Sequence, residues 1–135
     1  MEEKKRKNSN LVNMAIIVAI FVGVMIYNAV NPTQVVTIDV DETEIVLAGY
    51  EDVEYHIPLD RVERFTYVED MEYPVETKGI LCGTYHNEQW GDYVLYVNGK
   101  VSACIAAETE NGVYVFNYEN AATTQSLHEA LVKLL

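Results

Sequence analysis

The stretch that decides the fold is Tyr93 to Tyr118, YVLYVNGKVSACIAAETENGVYVFNY. Apolar and polar residues alternate through Tyr93 to Val97, Val101 to Thr109 and Val113 to Tyr118, the period of two that marks strands. The two junctions carry Asn98-Gly99 and Asn111-Gly112, a dipeptide suited to a type I′ turn because that turn needs positive φ at both central positions. Two-residue loops at both sites predict a register. Tyr96 then opposes Val101, Val94 opposes Ala103, Ile105 opposes Tyr118, and Ala107 opposes Phe116. One face collects Val94, Tyr96, Val101, Ala103, Ile105, Ala107, Phe116 and Tyr118 as the core, and Ser102, Glu108 and Asn117 fall on the other. Tyr93, Leu95, Val97, Val113 and Val115 share that outer face, an apolar group large enough to suggest a protein contact. A partner protein or a second copy docks there on this reading, with Tyr93 and Leu95 as anchors, unless a loop or the strand Gly79 to Tyr85 covers the group. On the docking reading, Leu95→Asp alters the oligomeric state.

Downstream, Leu127, Ala130, Leu131 and Leu134 recur at helical spacing. They predict a C-terminal amphipathic helix of about three turns, capped by Thr123 or Thr124, or by a box of Ser126 and Glu129. Upstream, strand patterns run through Val36 to Val40, Glu44 to Ala48, Val53 to Ile57, Val62 to Val68 and Gly79 to Tyr85. Met71 to Lys78, polar and containing Pro74, reads as a loop. The expected domain, 34–135, is mainly β with about seven antiparallel strands and one C-terminal α-helix.

The first 33 residues differ in character. Leu11 to Val30 holds no charge over twenty residues, enough to span about 30 Å of hydrocarbon as a helix. Its amides, Asn13 and Asn28, sit near its ends. A cleaved signal peptide begins in the same way, but bulky Tyr27 occupies the position where cleavage after Ala29 needs a small residue. Residues 1–10 form a basic tail whose Lys4, Lys5, Arg6 and Lys7 predict a cytoplasmic N-terminus. Residues 11–30 then cross the cell membrane once, 31–33 with Pro32 make a linker, and the domain lies on the extracytoplasmic side.

From Asn31 onward 5 basic residues stand against 19 acidic ones, within a whole-chain charge of −12. Such a surface repels phosphate, which argues against nucleic-acid binding.

Gly83-Thr84-Tyr85, the loop His86 to Asp92 and Tyr93-Val94-Leu95-Tyr96-Val97 resemble the bacterial pleckstrin-homology-like (PH-like) families, as does Ile57-Pro58-Leu59-Asp60-Arg61-Val62. The resemblance covers roughly 34–135. It implies a barrel of two packed antiparallel sheets closed at one end by the final helix, commonly beside a membrane span, with no general activity attached. Phosphoinositide binding in eukaryotic PH domains uses a basic loop cluster, and this chain places Asp41, Glu42 and Glu44 there.

Chemistry-bearing residues are scattered. His56, His86 and His128 share no metal-type spacing with each other or with a cysteine, and Asp39, Asp41 and Glu44 lack the glycine and distal glutamate of a calcium loop. Cys82 and Cys104 lie on the oxidising side of the expected topology, yet the register turns one inward and the other outward, against a disulfide. No base partners a serine or threonine, and no glycine-rich phosphate loop occurs. The sequence therefore points to a non-enzymatic binding or scaffolding module without a cofactor. The alternative is a sensor of a small ligand or divalent cation through the acidic loops Glu51 to Glu54 and Glu69 to Glu72.

Overall fold

A computed structural model describes residues 36–135. The basic tail with Lys4, Lys5, Arg6 and Lys7, the expected span 11–30 and the linker 31–33 lie outside the described residues. The alternating segments become eight strands and one long helix. They are β1 (Thr37–Val40), β2 (Glu44–Tyr50), β3 (Val53–Pro58), a 3-10 turn (Leu59–Arg61), β4 (Val62–Val68), β5 (Ile80–Asn87), β6 (Gly91–Asn98), β7 (Cys104–Thr109), β8 (Gly112–Phe116) and α1 (Ala121–Val132). The domain is mainly β with one C-terminal helix, as the periodicity predicts.

β1, β2 and β3 form an antiparallel meander. Its first turn is closed by Asp41, whose carboxylate accepts from the backbone N–H of Thr43 and Glu44 at 2.7 and 2.8 Å. Ile38, Val40, Ile45, Leu47 and Ile57 point from this sheet into the core, and alternate positions such as Asp39, Glu54 and His56 are exposed. One face wet and one face dry is what a period of two produces in an antiparallel sheet.

The second sheet has the order β4-β7-β8-β6-β5, and here the expected topology is corrected. β6 and β7 do not form a hairpin. β8 lies between them, antiparallel to β7 and parallel to β6, with Tyr93, Leu95 and Tyr96 opposite Val113, Val115 and Phe116. The all-antiparallel order of about seven strands implied by the PH-like resemblance is thus replaced by eight strands with one parallel pair. Residues 99–103, expected to turn tightly and to begin the next strand at Val101, instead cross the end of β8 to reach β7. Gly99 is needed there for close approach: a Cβ on it would lie 2.5 Å from the Thr77 carbonyl oxygen, and its N–H donates to the Gly79 carbonyl at 2.7 Å.

The second Asn-Gly site does join neighbouring antiparallel strands, with a shifted register. Thr109 pairs with Gly112, so the loop is Glu110-Asn111, and Ala107 opposes Tyr114 rather than Phe116. The partner changes by two residues, so no side chain changes face. Tyr96, Ile105, Ala107, Phe116 and Tyr118 still share the main core with Leu127 and Leu131 of α1. The helix starts one turn before the expected caps, at Asn120, whose side chain accepts from the Thr123 N–H at 2.8 Å. Thr124 is buried inside it and accepts from the Tyr118 N–H at 3.0 Å.

Two tyrosine hydroxyls tie the sheets together. Tyr96 accepts from the Tyr50 N–H at 2.7 Å and donates to the Val53 carbonyl at 2.9 Å, fixing the β2–β3 turn from across the core. Tyr118 donates to the Ile38 carbonyl at 3.3 Å. Burial pushes both phenols above their ordinary range, so each remains a donor at neutral pH.

Candidate functional site

The predicted contact group is a second core. Tyr93, Leu95, Val97, Val113 and Val115 do share one face of the large sheet, but Leu95, Val97 and Val115 have no exposure and Tyr93 and Val113 very little. They pack with Leu81, Cys104 and Ala106 beneath Val68, Met71, Tyr73, Tyr85 and Trp90. The expectation of an open docking face is therefore corrected. The loop read as polar contributes Met71 and Tyr73 as a cover, because those two apolar residues find an unfilled sheet face within reach. Backbone bonds fix the cover, with the Met71 N–H donating to the Ser102 carbonyl at 2.9 Å and the Tyr73 hydroxyl to the Val101 carbonyl at 2.6 Å.

The cysteines lie on opposite faces of the sheet, Cys82 against the main core and Cys104 in the second, and both are free thiols. Burial pushes the Cys104 thiol up to about 12 and also raises Cys82. Since the thiolate is the reactive form, iodoacetamide at neutral pH is expected to modify Cys82 slowly and Cys104 only after unfolding. Peptide mass spectrometry reads both sites, and equal modification of the native protein would mean that the second core is open.

The histidines are local. His56 sits between Glu44 and Glu54 at 3.1 and 2.8 Å, and the hydrogen bond to Glu44 is the main cause that raises its pKa. His86 pairs with Asp92 at 2.9 Å. His128 lies 3.1 Å from the Phe65 carbonyl. Among the described residues, no three His, Cys, Asp or Glu side chains converge as metal ligands.

The polar constellation that does converge was not foreseen. Asn117, expected on a solvated face, is fully buried where the crossover passes over the end of β8. Its side-chain oxygen accepts from the Asn98 N–H at 2.8 Å, and its amide nitrogen donates to the Val101 and Ala103 carbonyls at 3.0 and 3.1 Å. The Tyr73 hydroxyl lies 3.3 Å from the same nitrogen. One side chain thus serves a loop whose backbone has no ladder partner.

Beside this crossover opens a cleft of 670 Å³ between β4, the loop and the start of α1, lined in part by Tyr67, Glu69, Lys100, Ser102, Asn120 and Gln125. No protein family, characterised protein or solved structure matches the chain. The cleft must be judged on its own chemistry. Glu119 at its rim is raised by burial, with Lys100 pulling the other way, and the lining sets two carboxylates, Glu69 and Glu119, beside one cation, Lys100. Reading Asn98-Gly99 as a tight hairpin conceals this site, because the cleft exists only where the loop crosses. A warning lay in the expected strand itself, since Lys100-Val101-Ser102-Ala103 is a weak strand former beside Tyr93 to Val97.

Proposed function

We propose that the chain is a membrane-tethered, non-enzymatic binding module, held by residues 11–30, whose acidic domain engages protein at the extracytoplasmic face. The observation that carries this reading is the dispersal of its reactive groups. His56, His86, His128, Cys82 and Cys104 are spread over both sheets and the helix, and each is held by neighbours in the fold rather than aimed at a common point. The uncharged stretch with its basic flank supports the tether. Val36 is already buried, and the six steps of chain from Val30 to it reach at most about 22 Å when extended. A partner is then met close to the bilayer.

An impermeant amine reagent applied to intact spheroplasts tests the arrangement. Lys78, Lys100 and Lys133 are expected to be labelled while Lys4, Lys5 and Lys7 are protected, and an amine crosslinker is expected to join the domain to membrane-proximal protein. Labelling of the N-terminal lysines alone would reverse the topology. Glu69 of the second acidic loop lines the cleft, which supports a second reading, a sensor of a small ligand or divalent cation through the acidic loops. That reading calls for a higher melting temperature with added calcium, since a ligand specific for the folded state stabilises it by mass action.

A further inference from the structure

Four strands end the two sheets, and three of their edges are guarded. β1 is four residues long. β3 carries Glu54 and His56 and ends in Pro58, and charge and proline both discourage pairing. β4 carries Glu63 and Arg64, packs against α1, and has its Phe65 carbonyl approached by His128. β5 differs. It runs eight residues, ILCGTYHN, without Lys, Arg, Asp, Glu or Pro, and among the described residues it pairs with β6 alone. Half of its backbone N–H and C=O groups therefore point away from the sheet, in a domain whose other edges are defended.

We propose that β5 is an interface at which a second copy of this chain pairs its own β5, antiparallel about Gly83. The proposal rests on the reading of the chain as a binding module and names its partner. Faces decide which registers are possible. Ile80 and Cys82 face the main core, Leu81 and Tyr85 the second, and both cores continue across the junction only if a residue opposes one an even number of positions away. Charge then selects among these registers. Pairing about Cys82 opposes Glu88 with Glu76 of the second copy. Pairing about Thr84 opposes Lys78 with Trp90 and Glu88 with Ile80. Pairing about Gly83 sets Lys78 against Glu88, twice by symmetry, and Leu81 against Tyr85, while the two-fold axis passes through a residue without a side chain. Lys78 and Glu88 are both exposed and flank β5, Lys78 in the bend two residues before Ile80 and Glu88 in the turn just after Asn87, so the two charge pairs lie at the rims of the ladder rather than within it. Gly83 has a φ of 154°, extended backbone reserved for glycine. The pairing is isologous, so it closes at two copies.

Sedimentation of the full chain in detergent, over a range of concentrations, tests this. A dimer is expected. Lys78→Glu and Glu88→Lys each turn two attractive pairs into repulsive ones and are expected to weaken it about tenfold, while at dilutions where the chain is monomeric the melting temperature stays that of the wild type because both sites are exposed. The double variant Lys78→Glu/Glu88→Lys restores opposite charges and is expected to return the wild-type affinity. A chain that stays monomeric, a dimer indifferent to either single change, or a double variant no tighter than the singles overturns the β5 register. Amine labelling reads the topology independently, so a correctly oriented monomer would sink the pairing and leave the tethered module standing.

Discussion

Replacing Leu95 with Asp is expected to unfold the domain, not to detach a partner from it. Leu95 has no exposure and lies in the middle of β6, between Gly83 of β5 and Val115 of β8. Removing the buried isobutyl group costs about 2–3 kcal/mol in lost burial. The carboxylate must then be protonated or desolvated among Val97, Cys104 and Val115, where no described cation sits, which adds several kcal/mol. The sum, more than about 5 kcal/mol, is comparable with the whole stability of a small domain. Circular dichroism and urea unfolding of the full chain measure it, with Ser126→Asp on the exposed face of α1 as the control, expected to stay within about 1 kcal/mol. A Leu95→Asp protein as stable as the wild type, with altered association, would instead mean that residues 69–79 leave this face open.

The contrast between strand content and strand order shows how far the sequence could be read. Alternation placed Tyr96, Ile105, Ala107, Phe116 and Tyr118 on one face and Tyr93, Leu95, Val97, Val113 and Val115 on the other, and these hold, while Val94 and Val101, expected in the core with the first group, are only half-buried. Periodicity records which side chains point together, and that is local. Which strands become neighbours is not local. Asn98-Gly99 is compatible with a type I′ turn, yet its glycine answers to the approach of the Thr77 and Gly79 carbonyls, which comes from a segment some twenty residues earlier. Met71 and Tyr73 sit in an otherwise polar stretch, so composition hid the cover they provide. The cleft lined by Lys100, Ser102 and Asn120 was illegible for the same reason, being a product of the crossover. The edge of β5 had a local trace: a strand-length segment free of carboxylates, between Lys78 and Glu88, in a chain where acidic residues are frequent.

Asn117→Ala is expected to cost about 3–5 kcal/mol, because it removes the buried side chain that makes most of the side-chain hydrogen bonds to the crossover. The Asn98 N–H and the Val101 and Ala103 carbonyls would lose their partner together, and each buried polar group left unpaired costs about 1–3 kcal/mol. The Tyr73 hydroxyl still bonds the Val101 carbonyl, so that group keeps one of its two bonds and the total falls below the simple sum. Asn117→Asp distinguishes the amide from mere volume. Its carboxylate still accepts from the Asn98 N–H, but an oxygen then faces the Val101 and Ala103 carbonyls, so it is expected to be at least as damaging as alanine. Asn111→Ala, at the exposed loop of the β7–β8 hairpin, is the matched control and should change stability by under about 1 kcal/mol. Urea unfolding gives the magnitudes, and amide exchange at Asn98 gives the mechanism, since its N–H should lose protection before those of the rest of β6 in the Asn117 variants. If Asn117→Ala costs under about 1 kcal/mol with Asn98 still protected, water has taken over the bonds. The parallel pairing of β6 with β8 would then be held by its own backbone ladder and the two cores.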